Sequence, residues 1–209
     1  MQWYIFMMTK LDEMKKIRDE VLALTSSPLY AERVKNKVFP VIGEGSHDSK
    51  IMFVGEAPGR NEAKTGRPFC GAAGKILDEL LLSADIERKE VYITNIVKDR
   101  PPFNRDPLPE EIASYGPYLD RQIDIIKPDI IATLGRYSMG YIMRKFGKDA
   151  ELEPISKAHG KSYDAQASYG PIKIIALYHP AVAVYNSNSK GELKKDFGQL
   201  GILYKKYRA

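Results

Sequence analysis

The chain has little of what would staple, anchor or metallate a protein. It has one cysteine, Cys70, in 209 residues, which excludes an intramolecular disulfide and any cysteine-rich zinc or iron–sulfur site. Its three histidines, His47, His159 and His179, are not spaced as zinc ligands. No stretch reaches the ~18 apolar residues that a membrane span needs, and the apolar start from Met1 to Met8 is too short for a signal-peptide core with a cleavage site. The expectation is a cytoplasmic protein with no targeting signal. Two nucleotide-binding motifs are also missing. Gly74-Lys75 ends like a phosphate-binding P-loop, but Phe69 and Ile76 stand where that loop needs Gly and Ser or Thr. Gly43 and Gly45 are followed by Asp48 where a dinucleotide fingerprint needs a third Gly, and they precede a strand rather than a helix.

Internal repeats and low-complexity linkers are absent too. At ~150 residues per domain, the length implies one domain over 1–209. With 44% apolar and 28% charged residues the composition is ordinary for a globular protein, and a chain this long buries roughly 70% of its unfolded surface. The net charge of +5 is uneven. From Lys190 to Ala209 six basic residues stand against Glu192 and Asp196, a surplus that suits either a solvated helix face or a nucleic-acid contact.

Met14, Ile17, Val21 and Leu24 recur at helical spacing, so a helix over 10–26 opens the chain. Short apolar runs at Ile51–Val54, Val91–Asn95, Ile130–Leu134 and Lys173–Leu177 read as four strands. Between and after them come helical stripes: Ile76, Leu77, Leu80, Leu81; then Ile112 to Ile126, with Pro117 implying a kink or two shorter helices; then a helix to Gly147; and finally Leu193, Phe197, Leu200, Tyr204. Strands alternating with helices imply an α/β protein, a three-layer α/β/α sandwich with a central four-stranded, mainly parallel sheet. Ligands bind such sheets beyond the carboxyl ends of the strands. Those ends carry Gly55-Glu56-Ala57-Pro58-Gly59, Thr94-Asn95, Leu134-Gly135 and Tyr178-His179-Pro180.

The same segments carry a family resemblance. Gly55 to Gly59, Glu62 and Thr65-Gly66-Arg67-Pro68-Phe69-Cys70-Gly71-Ala72-Ala73-Gly74 resemble the first motif block of the family 4 uracil-DNA glycosylases. Tyr92-Ile93-Thr94-Asn95 with Lys98-Asp99-Arg100-Pro101-Pro102 and Asn104-Arg105 resembles the second, and Tyr178-His179-Pro180-Ala181 the start of the last. The likeness spans about two-thirds of the chain, from Ile42 to Asn186. It implies a monofunctional DNA-repair hydrolase that flips uracil out of single- or double-stranded DNA and cleaves its N-glycosidic bond. In that reading Glu56 orients the attacking water and His179 meets the charge developing on O2. Phe69 stacks on the base, Asn95 reads its edge, Glu62 lies beside C5, and the backbone around Ala57 assists. Lys98, Arg100, Arg105, Val184 and Tyr185 are the expected DNA contacts, with the loop from Lys98 to Arg105 and the run from Lys190 on the rim. The expected partner is uracil-containing DNA, with no membrane, and the chain is expected to be a monomer. Each residue also has an ordinary role open to it: Phe69 as core, Asn95 as a turn cap, His179 as a structural residue before proline, Glu56 as a helix cap.

The chain departs from the family pattern in three places, one of them Ala63, which replaces an acidic residue common in the first block. The four cysteines that hold a [4Fe-4S] cluster in family 4 fall here on Leu24, Ser27, Asp99 and Tyr115, so no cofactor and no metal site are expected, with ordinary packing, Leu24 against Tyr115, in their place. The Leu-Arg pair of the last block becomes Val184-Tyr185. Two other functions stay open: a glycosylase for another deaminated base such as hypoxanthine, and a catalytically inactive DNA-binding homologue.

Overall fold

The four apolar runs form the centre of a six-stranded mixed sheet in a computed structural model that describes residues 8–207. The strands are β1 (Glu44–Gly45), β2 (Ile51–Gly55), β3 (Tyr92–Asn95), β4 (Ile130–Leu134), β5 (Ser162–Ala167) and β6 (Gly170–Leu177), in the order β1-β3-β2-β4-β6-β5. The inner four are parallel, while β1 and β5 add antiparallel edges against β3 and β6. The expected four-stranded sheet is therefore short by two edge strands. One edge is two residues long, and the other reads Ser-Tyr-Asp-Ala-Gln-Ala, too polar to register as an apolar run.

Nine helices stand among the described residues: α1 (Lys10–Leu22), α2 (Tyr30–Asn36), α3 (Arg60–Thr65), α4 (Ala72–Ser83), α5 (Pro109–Ile126), α6 (Arg136–Lys145), α7 (Ile155–Ala158), α8 (Ala181–Tyr185) and α9 (Lys190–Lys205). Because side chains alternate across a strand, each central strand feeds two cores. Ile51 and Phe53 of β2 join Leu77, Leu80, Phe197 and Leu200 of α4 and α9, whereas Met52 and Val54 join Ile17, Leu119, Ile123 and Ile142 of α1, α5 and α6. Being buried on both faces, the inner strands are apolar at nearly every position, as parallel strands are.

Two expectations about helices need correction. The first helix ends at Leu22 rather than near 26, where the chain turns through Ser27 towards α2. Pro117 does not split α5, which runs unbroken for 18 residues. A proline removes one helical hydrogen bond, and the buried stripe of Tyr115, Leu119, Ile123 and Ile126 offsets that loss.

Phe53 stacks on Phe197 at 5.9 Å between ring centroids and joins the middle of the sheet to α9. Phe197→Ala should cost about 3–5 kcal/mol, read as a lower urea midpoint with an unchanged slope. An unaltered midpoint would show that α9 adds nothing to the core.

Candidate active site

A cavity of about 440 Å³ opens beyond the carboxyl ends of β2, β3 and β6, where a parallel sheet leaves room between strand ends and the loops that leave them. It gathers Glu56, Ala57, Glu62, Phe69, Asn95, Arg105, His179 and Tyr185, eight of the residues singled out in the sequence. Lys98, Arg100 and Val184 do not line it. Asn104, part of the loop expected on the rim, lines it as well, and so does Asp106, to which sequence reasoning gave no role. The one signal for Asp106 was its place directly after the Asn104-Arg105 end of the second motif block.

Register sets the floor of the cavity. Gly55 pairs with Asn95 across β2 and β3. A Cβ at residue 55 would lie 2.2 Å from Asn95 Oδ1 and 3.1 Å from the edge of the Phe69 ring, so glycine alone leaves room for both side chains. Asn95 is 2% exposed, and its carboxamide has no hydrogen-bond partner among the described residues. Phe69 is buried with a left-handed backbone (φ 48°), a conformation rare for a bulky residue. Gly74 lets the strained Phe69 backbone approach, since a Cβ there would lie 1.8 Å from the Phe69 carbonyl oxygen. The Phe69 ring stacks on His179 at 5.5 Å.

His179 is fixed in one tautomer. The Ala181 backbone N–H donates to Nδ1 at 3.1 Å, so Nδ1 accepts and the ring proton of the neutral imidazole sits on Nε2. Burial lowers the His179 pKa to about 4, which keeps the ring a neutral donor at pH 7. Glu56 shifts the other way. Burial, and then the charge of Asp106, raise its carboxyl to about 7 against the pull of Arg136. Asp106 is itself held by Arg136 at 2.5 Å and by the Tyr137 hydroxyl at 2.9 Å. Glu62 accepts from the Gly71 N–H at 3.0 Å and so joins α3 to the start of α4 while lining the cavity.

Lys98 is not on the rim. It is completely buried and donates to the Asn95 carbonyl at 2.7 Å, Thr94 Oγ1 at 2.8 Å and Gln122 Oε1 at 2.6 Å. Burial lowers its pKa to about 7. The loop after β3 folds back beneath the strand end, which a charged residue in a polar loop does not announce. Arg105 faces the cavity, yet its guanidinium is bound to Glu111 at 2.9 and 2.5 Å. Arg100 opens instead onto a neighbouring cleft with Arg60 and Lys64. The basic run of α9 also lies elsewhere: none of its residues lines the cavity, Lys190 pairs with Glu79, and Lys205 pairs with Asp85 at 3.7 Å. Arg208 and Ala209 lie outside the described residues.

Three of the four positions of the family's cluster cysteines, Ser27, Asp99 and Tyr115, form a hydrogen-bonded network, and the fourth, Leu24, is apolar. The Tyr115 hydroxyl donates to Asp99 Oδ2 at 2.6 Å and meets the Ser27 hydroxyl at 2.7 Å. Arg33 pairs with Asp99 at 3.1 Å and donates to the carbonyls of Val21 and Leu22 that end α1. Leu24 packs beside the core that contains Tyr115. Burial raises the Asp99 carboxyl above its usual range, against Tyr115 and Arg33. A leucine, a serine, a tyrosine and a carboxylate already paired with arginine do not fit a cluster that is held by four thiolates. Among the described residues no group of three or more His, Cys, Asp or Glu side chains is placed to hold a metal ion, and no helix is long and apolar enough to cross a membrane.

Known proteins resemble this chain in sequence. The family model for the uracil DNA glycosylase superfamily matches residues 42–199. A type-4 uracil-DNA glycosylase of Sulfurisphaera tokodaii is 47% identical over 201 residues, covering 94% of this chain and 89% of the relative. One from Archaeoglobus fulgidus is 46% identical over 169 residues, 81% of this chain and 84% of its own. One from Thermotoga maritima is 40% identical over 184 residues, 88% and 90% respectively.

The shift at Glu56 has a sign that stability measurements can read. The unfolded carboxyl ionises near its ordinary 4.5 and the folded one near 7. Between those values the folded chain holds a proton that the unfolded chain has lost, so the stability due to this group is complete below pH 4.5 and is lost as pH rises through 7. The stability difference between the wild type and Glu56→Gln, from urea unfolding at pH 4.5, 6 and 8, should therefore move steadily against the wild type. A pH-independent difference would mean that the Glu56 carboxyl is not buried.

Proposed function

The chain belongs to the uracil DNA glycosylase superfamily, and on that premise we propose that it takes uracil from DNA into the cavity and hydrolyses the N-glycosidic bond, leaving an abasic site. The observation that carries the reading is the Asn95 carboxamide, nearly buried and without a partner inside the protein, beside the Phe69 ring. The amide opens onto the cavity, where its oxygen and nitrogen are free to bond a ligand, and a uracil edge supplies their complement. Uracil offers a donor at N3 and an acceptor at O4, which the amide oxygen and nitrogen of Asn95 meet, while Phe69 stacks on the base. Cytosine presents the reverse pattern.

Bond cleavage sends the electron pair of the C1′–N1 bond into the base, where it spreads towards O2, and leaves the sugar as a cation. His179, neutral and with its proton on Nε2, donates to O2 without having to lose or gain a proton, and so stabilises the anion electrostatically. The backbone at Glu56 and Ala57 assists. Ionised Glu56 orients the water that attacks C1′, accepts its proton and offsets the positive sugar. With its carboxyl near 7, Glu56 is a stronger base than an ordinary carboxylate and is still substantially ionised at neutral pH. Glu62 supplies bulk beside C5, where thymine carries a methyl group. At the rim, Tyr185, which is 90% exposed, fills the space the base leaves, with Val184 beside it. Arg100 meets phosphate, and Lys98 acts from below by holding the Asn95 carbonyl.

Uracil release from single- and double-stranded oligonucleotides, with hypoxanthine-containing duplexes in parallel, tests the reading directly. His179→Ala should slow uracil excision roughly 10²–10³-fold, the cost of losing one such donor. Asn95→Asp should cut it sharply, because a carboxylate cannot donate to O4. Full activity in both variants, or release of hypoxanthine alone, would overturn the assignment.

We also propose that the enzyme works without an iron–sulfur cluster, its place taken by the Arg33–Asp99–Tyr115–Ser27 network. The purified protein should be colourless and free of iron and sulfide, yet fold and release uracil. Stoichiometric iron with sulfide would refute this.

A further inference from the structure

Phe103 is the most exposed large apolar side chain among the described residues, at 97%. It sits in the short turn Pro102–Asn104 with a left-handed backbone (φ 57°, ψ 16°), and Asn104 follows in the same region (φ 55°). A bulky residue rarely adopts that conformation. With no side-chain burial to offset it, nothing in the fold calls for phenylalanine here, and glycine would fit the backbone better. Strain without structural benefit is a pointer to function.

The turn is rigid. Pro101 and Pro102 fix its approach. The Asn104 and Arg105 N–H groups donate to the carbonyls of Pro101 and Pro102 at 3.1 Å each. Arg100 Nε donates to Asn104 Oδ1 at 2.6 Å, and Arg105 is clamped on Glu111. The aromatic ring is thus presented on a braced finger whose neighbours Pro101, Asn104 and Arg105 line the cavity.

Charge beside the finger indicates what it meets. Arg60, Lys64 and Arg100 share one shallow cleft. None of the three forms an ion pair among the described residues, although nineteen such pairs engage much of the remaining charge. Unpaired cations next to an exposed aromatic side chain are the two parts from which single-strand binding surfaces are built: the cations follow phosphates and the ring stacks on a base.

We propose that Phe103 stacks on a nucleobase neighbouring the one taken into the cavity, while Arg60, Lys64 and Arg100 hold the adjoining phosphates. This rests on the reading of the protein as a uracil-DNA glycosylase, and deepens it by giving the strand outside the cavity a second aromatic contact besides Tyr185. The stacked base is recognised by its π-face, so the contact is indifferent to sequence.

The test uses the whole chain and a labelled single-stranded oligonucleotide with one 2′-fluoro-deoxyuridine, whose glycosidic bond resists cleavage, flanked by 2-aminopurine. Phe103→Ala should weaken binding roughly 5- to 150-fold, the range for removal of one stacking side chain, and should abolish the 2-aminopurine fluorescence change that the wild type produces. Phe103→Trp should restore both. Phe103→Gly should bind as weakly as the alanine variant while melting at a higher temperature than the wild type, because the positive φ is relieved. Removing Arg60 and Lys64 together should lower the slope of log K against log salt by about 1.4, at ~0.7 per phosphate of single-stranded DNA. Wild-type affinity and fluorescence in Phe103→Ala and Phe103→Gly would overturn the proposal. Whether the wild type releases uracil from an ordinary substrate is scored separately, so a failure of the glycosylase reading and a failure of the Phe103 contact are told apart.

Discussion

Gly55 and Asn95 face each other across two parallel strands, and the cavity depends on the missing side chain at residue 55. Its absence lets the Asn95 carboxamide lie against β2 and lets the Phe69 ring close over the same spot. Both consequences follow from register. A one-residue slip of β3 would turn Asn95 to the opposite face of the sheet, among the apolar side chains of α1 and α5. The site is therefore as well determined as the strand pairing beneath it, and the apolar faces on both sides of the sheet enforce that pairing.

The polar groups under the strand ends make the pairing rigid. Lys98 draws the Asn95 carbonyl, the Thr94 hydroxyl and Gln122 of α5 to one ammonium, and Gln122 passes the connection on to the Ile42 carbonyl and the Tyr92 hydroxyl. One residue further on, Asp99 joins Arg33, Tyr115 and, through the tyrosine, Ser27. Removing one partner of a buried charge costs far more than the intact pair contributes, because it leaves an uncompensated charge. Two adjacent residues of the loop after β3 are held in this way, and the loop goes on to form the cavity wall at Pro101, Asn104 and Arg105. Hydrogen bonds and one ion pair between side chains thus hold the start of that loop.

Three of the six non-glycine residues with positive φ among the described residues, Phe69, Phe103 and Asn104, stand at or beside the same mouth. Phe69 and Phe103 are both phenylalanines in left-handed backbone, one buried and one exposed. The buried ring is held by His179 and by the closeness that Gly55 and Gly74 permit. The exposed ring is held only by its braced turn. Local strain persists where surrounding structure over-determines it, and here that structure is the pair of strand ends with their loops.

The amino-acid sequence alone determined the α/β layering, the four inner strands and the strand ends that carry Glu56, Asn95 and His179, because continuous apolar runs and apolar stripes of period 3.6 are local properties of the chain. It also placed eight side chains that the cavity gathers, through motif blocks whose order is visible without a fold. Tertiary structure alone decided the edge strands, since β1 is two residues long and β5 is polar, and both form only against a neighbour already in place. It decided that Lys98 is buried, because whether a loop turns outward or folds back under a strand depends on partners 24 residues away at Gln122. It likewise decided the tautomer of His179, the pairing of Asp99 with Arg33 across 66 residues and the exposure of Phe103. Each of these rests on a contact between residues or on the path of a folded loop, and hydrophobic pattern records only which side chains leave water, not which of them meet.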